Sequence, residues 1–251
     1  MHIHLDLLGG LAGDMFLAGA IDAGLVEVAA LEKALGTLGL GDNIRIVSEK
    51  VIRGAIEGTH IHFEGWDPSA EADHRHLSTI LGMLDESGLS DTVRDRAKEL
   101  FCVLGEAESS IHGIPLERVH FHEVGAVDSL LDFVSAAWIM ETVKSSWSTS
   151  VVPMGKGTIE TDHGTIPVPA PATARLLEGM KMVQRDVEAE LVTPTGAAIL
   201  CGLKAAPMHA PGTLSKTGYG CGTRNMKRLS NVVRFVVFDE AGSESKTESD
   251  R

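Results

Sequence analysis

Apolar positions along the chain alternate with polar ones at two periods, and the changes of period mark the elements. Ile3-His4-Leu5-Asp6-Leu7 reads as a short strand. A glycine turn from Gly9 to Asp14 leads into an apolar helix, Met15 to Ala23, stopped by Gly24. A second helix, about Val28 to Leu38, ends in Gly39 and Gly41. Ile44 to Val51 and Ala55 to Phe63 alternate as two strands of a hairpin joined at Arg53-Gly54. The polar stretch 65–75 reads as a loop. Helices are predicted over Leu77–Ser87 and Asp91–Ile111, the latter capped by Ser90. Glu123 to Val143 is a helix with a strong apolar face, and Ser148 to Met154 a strand. Pro167, Pro169 and Pro171 fix an extended run before a helix at about Ala172–Glu178. Thr195-Gly196 opens a short helix to Leu203, and Val232–Phe238 is the last strand. Residues 239–251 lack apolar pattern and read as a disordered tail. No internal repeat is found. Strands and helices interleave, so the expected class is mixed α/β (α+β): a mixed sheet with a helical middle section. Residues 1–238 are expected to form one domain, with room for two lobes meeting near 65–76.

Composition narrows the function. The 251 residues carry 22 Lys+Arg against 35 Asp+Glu, a formal charge of −13. Such a chain is a poor match to a phosphate backbone, so nucleic acid is not an expected partner. Hydrophobic residues make up 43%, enough for a packed core. No apolar run approaches the ~20 residues of a membrane span, and the first residues are not a secretory signal. Three cysteines without a C-x-x-C pair suit a reducing cytoplasm.

The histidines change the picture. Eight of the 11 sit in four H-x-H pairs: His2/His4, His60/His62, His74/His76 and His120/His122. Chance placement would give roughly half a pair. Imidazole is a common ligand for nickel, zinc and copper, so a metal is the natural explanation. The sharpest segment is His120-Phe121-His122-Glu123, followed by Asp128 and, one turn later, Asp132. Two imidazoles and up to three carboxylates within thirteen residues, at a helix start that favours anions, make a candidate divalent-metal site. His74 and His76 close a polar loop, where a metal can be acquired or passed on. His2/His4 and His60/His62 lie on predicted strands with nothing adjacent to complete a coordination sphere. They read as polar strand faces, with His4, beside Asp6, the exception to watch. His112 and His209 read as structural.

Asp6 and Asp14 flank the glycine turn that holds Gly10 and Gly13. Strand, glycine turn and helix form a phosphate cradle, but an Asp there repels phosphate unless a cation bridges them. These two are therefore candidate catalytic or metal-handling carboxylates. Thr195 and Gly196 mark another helix start that an anion could approach. Gly218, Gly220 and Gly222 read as a ligand-approaching loop, with Arg224 as a phosphate fork and Cys221 as a thiolate candidate. His163 stands beside the rigid proline segment.

Taken in order, Leu5-Asp6 with Gly10-Leu11-Ala12-Gly13-Asp14-Met15, His74-Arg75-His76-Leu77, the string from His120 to Asp128, His163-Gly164 through Thr173, Glu190 to Ala198, and Gly218 to Arg224 resemble the LarC family over about residues 3–238. The resemblance implies a nickel insertion cyclometallase, lyase- or chelatase-like. Such proteins place Ni2+ into pyridinium-3,5-bisthiocarboxylic acid mononucleotide, forming one Ni–C and two Ni–S bonds, with CTP hydrolysed. It implies nickel ligands among His74, His76, His120, His122, Glu123 and Asp128. Asp6 and Asp14 are then catalytic, and Gly10, Gly13, Thr195, Gly196, Gly218, Gly220, Gly222 and Arg224 touch the nucleotide-like substrate. CTP with Mn2+ or Mg2+ belongs to a C-terminal domain of the family that is expected to be absent from these residues and supplied in trans; self-association is left open. His2, His4, His60 and His62 lie outside the family pattern, and Cys221 stands where alanine is more usual. Two other readings fit the residues: a histidine-rich nickel or zinc buffer, and a divalent-metal-dependent phosphohydrolase built on Asp6, Asp14 and Asp128.

Overall fold

In the computed structural model, residues 1–41, 43–67, 75–121, 127–161, 164–205 and 212–240 are described; the side chains of Arg75 and Glu240 are not. The chain opens with strand β1 (His2–Asp6), helix α1 (Gly13–Asp22) and helix α2 (Val28–Leu35), which runs into a 3-10 turn at Gly36–Leu38. The hairpin β2 (Arg45–Arg53) and β3 (Ile56–Glu64) follows, turning at Gly54 with φ +65°. Then come β4 (Arg75–His76), α3 (Leu77–Glu86), α4 (Asp91–His112), β5 (His120–Phe121) and α5 (Val127–Thr142). The remainder is β6 (Ser146–Thr149), β7 (Val152–Met154), β8 (Thr158–Thr161), β9 (Gly164–Pro167), α6 (Pro171–Leu176), β10 (Met182–Gln184), α7 (Pro194–Leu203), β11 (Gly212–Cys221) and β12 (Val232–Glu240).

Six strands form one mixed sheet in the order β2-β3-β11-β12-β1-β6. Within it, β1 runs antiparallel to β12 and parallel to β6. Its alternation does what the sequence pattern asks: Ile3 and Leu5 are fully buried beside Val237 and Phe235, while His4 and Asp6 face the other way. α1 lies across β11, β3 and β12. Phe16 stacks on Phe235 at 5.4 Å and on Trp147 at 5.8 Å. Burying one such ring contributes about 2 kcal/mol. Behind α1 sits a helical layer in which α5 packs on α1, α4 and α7, and Phe101 of α4 meets Phe133 of α5 at 4.5 Å.

The α/β class and most element positions agree with the sequence pattern, including the Ser90 cap, whose hydroxyl accepts from the Val93 amide. Several expectations are corrected. The Gly218–Gly222 loop is a strand as far as Cys221, not a loop. Gly218 and Gly220 face α1, and a methyl group at Gly220 would overlap the Met15 carbonyl oxygen, one at Gly218 the Ala23 backbone. These glycines let a helix lie directly on the sheet. The Ser148–Met154 strand is two strands in different sheets, because β6 pairs with β1 and β7 with β10. Helix α5 is described from Val127, and residues 123–126 of the expected Glu123–Val143 helix lie outside the described residues. Asp239 and Glu240 extend β12, and 241–251 lie outside the described residues.

Candidate functional site

Three helix starts meet beneath the glycine turn. The Leu11 amide donates to the Leu191 carbonyl (3.0 Å), and the Thr193 amide donates to the Leu11 carbonyl (3.1 Å). This short bridge sets the start of α1 beside the start of α7. Gly10 (φ +108°) presses on the Leu191 backbone, and Gly196 on the Leu11 backbone, so both positions are filled by protein. Thr193 caps α7 by accepting from the Gly196 amide, and its hydroxyl lies 2.8 Å from that of Thr195.

The start of α5 comes in against Gly13. A Cβ there would collide with the Asp132 carboxyl group, so glycine makes room for an acid at the amino end of α1. The Asp14 amide donates to Asp132. Asp14 itself accepts from the Met15 amide at 2.7 Å. Burial pushes the Asp132 carboxyl well above its ordinary range, and the neighbouring Asp14 and Asp128 charges push it further. Burial also raises Asp14, with Asp128 adding to it, against the opposing pull of the Met15 amide and of His60. Asp132 keeps some exposure as a residue, but its Oδ1 atom is sealed from solvent and meets no hydrogen-bond partner. Asp128, in the first turn of α5, is exposed.

On the other side of residues 122–126, β4 and β5 pair so that His76 stands opposite His120. The ring centroids are 4.5 Å apart and tilted by 35°. Phe121 beside them is buried against Phe101 and anchors the ladder. Two of the predicted nickel ligands, separated in the chain by helices α3 and α4, are thus brought together. His74, His122 and Glu123 lie outside the described residues, as do His163 and His209. Among the described residues, no three His, Cys, Asp or Glu side chains stand ready as a metal cage.

Other candidates are placed elsewhere. Asp6 pairs with Arg234 at 2.5 Å, whereas the carboxylates acting on Asp14 are Asp128 and Asp132, so the sequence pairing of Asp6 with Asp14 does not describe one carboxylate cluster. Cys221 is buried, and burial pushes its thiol up, which works against a thiolate ligand. Gly222 abuts the Asn231 side chain, and the Arg224 carbonyl accepts from Asn231 Nδ2 at 3.0 Å. His2 and His4 bond to Ser146 and Ser148, His62 to Glu64 and His112 pairs with Glu108, in keeping with a structural role. Asp132 is visible in the sequence as the i+4 neighbour of Asp128, but its fit against Gly13 has no sequence signal.

Residues 3–251 match the model of a family described as nickel insertion proteins. A Rhodopirellula baltica protein named for nickel insertion is 39% identical over 255 residues, covering 99% of this chain and 63% of its own length. A similarly named protein of Geobacter sp. strain M21 is 42% identical, covering 95% of this chain and 61% of its own. The pyridinium-3,5-bisthiocarboxylic acid mononucleotide nickel insertion protein of Desulfitobacterium hafniense is 38% identical, with 99% and 61% covered. The chain spans about three-fifths of the length of these curated relatives. No solved structure matches. The match runs through the glycine turn, the helix starts and the histidine ladder alike, and the chain belongs to the nickel insertion protein family.

Proposed function

We propose that this chain carries out the nickel-handling part of inserting nickel into pyridinium-3,5-bisthiocarboxylic acid mononucleotide, as a cyclometallase of the cytoplasm. The observation that carries the reading is the His76–His120 pair, held ring to ring on a two-stranded ladder that Phe121 anchors in the core. We assign the incoming Ni2+ to His76 and His120, with His74, His122, Glu123 and Asp128 as the further donors. Imidazole and carboxylate hold Ni2+ in an exchangeable way. The sulfur and carbon donors of the organic ligand bind it more strongly, so transfer runs downhill. For the single phosphate of the mononucleotide we assign the start of α7, where the half-buried Thr193, its hydroxyl bonded to that of the buried Thr195, stands at the positive end of the helix. We do not assign CTP to these residues: a triphosphate carries about four negative charges, and a surface of net charge −13 opposes it. CTP with Mn2+ or Mg2+, and a partner domain acting in trans, remain part of the proposal for the whole system.

Nickel titration calorimetry tests the reading. His76→Ala with His120→Ala is expected to remove the tight nickel site while leaving the fold intact by circular dichroism. Unchanged nickel affinity in that double variant overturns it.

A further inference from the structure

We propose that Asp14 and Asp132 form a second cation site, for a hard divalent ion of the Mg2+ class, separate from the donors that handle nickel. The placement of Asp132 carries the inference. Its Oδ1 is closed off from water and has no donor, although a carboxylate normally collects two or three. The Asp14 amide reaches this carboxyl group, but among the described residues no cationic side chain compensates it. Placing a carboxylate there without a counter-charge is costly, and residue 13 must be glycine to admit it. A cation between Asp14 and Asp132 supplies the missing partner for Oδ1 and removes the repulsion between the two acids.

The donors are all oxygen, which suits a hard cation, whereas nickel prefers the nitrogen-bearing ladder. Two carboxylates are not a closed cage, and among the described residues no third His, Cys, Asp or Glu completes one. Mg2+ does not ask for one: it keeps several waters and binds through one or two carboxylates, often with a substrate phosphate. The start of α7, to which we assign the phosphate, is tied to the start of α1 by the Leu11–Leu191 and Leu11–Thr193 bridge.

Mn2+ alone serves as the probe, with bound and free ion separated by electron paramagnetic resonance on the full chain. One Mn2+ site is expected in wild type and in His76→Ala with His120→Ala. Asp132→Asn and Asp14→Asn should each weaken it by about tenfold or more, and Mn2+ should raise the melting temperature of wild type but of neither variant. Asp14→Asn carries the test if Asp132→Asn fails to fold. One equivalent of Ni2+ should leave the Mn2+ signal in place. No Mn2+ site in wild type, wild-type affinity retained in both aspartate variants, loss of Mn2+ in the histidine variant, or its displacement by one equivalent of Ni2+ overturns the proposal. The nickel reading fails on a different variant and a different metal, so the two failures are distinguishable.

Discussion

At the carboxyl end of α1, Asp22 accepts from Lys50, from the Thr59 hydroxyl at 2.5 Å and from the Tyr219 amide at 2.8 Å. At its amino end, Asp14 faces Asp128 and Asp132. Helix polarity alone predicts the reverse, because an acid is favoured at the amino end and disfavoured at the carboxyl end. Burial by itself would raise Asp22, yet its three donors hold it below the ordinary carboxylate range. At the other end burial wins, and both Asp14 and Asp132 are raised. The pull of a helix end is at most about 2 kcal/mol, so specific donors decide. One end of α1 is closed by protein groups. At the other, among the described residues, no cationic side chain reaches Asp132, which is the place we propose for a cation.

Gly220→Ala should have the largest effect. It lies under the middle of α1, and its new methyl group meets backbone at Met15 and Gly19, which no side-chain change can relieve. A loss of about 3 kcal/mol is expected in urea unfolding. Gly13→Ala meets the Asp132 side chain instead and should lose about 2 kcal/mol. Adding Asp132→Ala should restore about 1 kcal/mol of that. A double variant no better than the additive sum would show that Gly13 is needed for some other reason.

Asp22→Ala should lose about 1.5 kcal/mol at neutral pH by leaving the Tyr219 amide and Thr59 without their acceptor. Folding lowers the Asp22 value, so its contribution is present above the unfolded value of about 3.9 and fades as pH falls through the folded one. The variant should therefore unfold with less acid dependence than wild type. Asp132→Asn should do the opposite and gain about 1 kcal/mol at pH 7 in metal-free buffer. Folding raises the Asp132 value, so wild-type stability is full below about pH 3.9 and declines as pH rises through the raised value. Thermal melts from pH 4 to 8 in chelator check it; identical slopes for variant and wild type would remove the carboxylate repulsion from the comparison.

The elements legible in the sequence are those whose signal is local. α4 carries its own cap and period, and the β2–β3 turn carries its own glycine. β11 is not legible, because Gly218 and Gly220 answer to α1, an element near the opposite end of the chain. A glycine that frees the chain for a loop and one that clears space for a helix look identical in sequence. The candidate site divides in the same way. The histidine-rich string points to His120, but its apposition to His76 depends on the β4–β5 register. The acids at 128 and 132 declare a shared helix face; only packing against Gly13 makes Asp132 the unsatisfied member.

The strand order also bears on how the chain comes off the ribosome. β11 and β12 sit between β3 and β1, yet they are made last among the sheet strands. Until residues 212–240 have emerged, β3 and β1 both present open edges, and α1 lacks the strands on which Gly218, Gly220 and Phe235 receive it. Open edges and an uncovered apolar helix are what holding chaperones bind and what drives aggregation. Between the synthesis of β6 and that of β12 the nascent protein therefore holds two unjoined halves of one sheet, and a ribosome stalled before residue 212 releases a product that cannot close it.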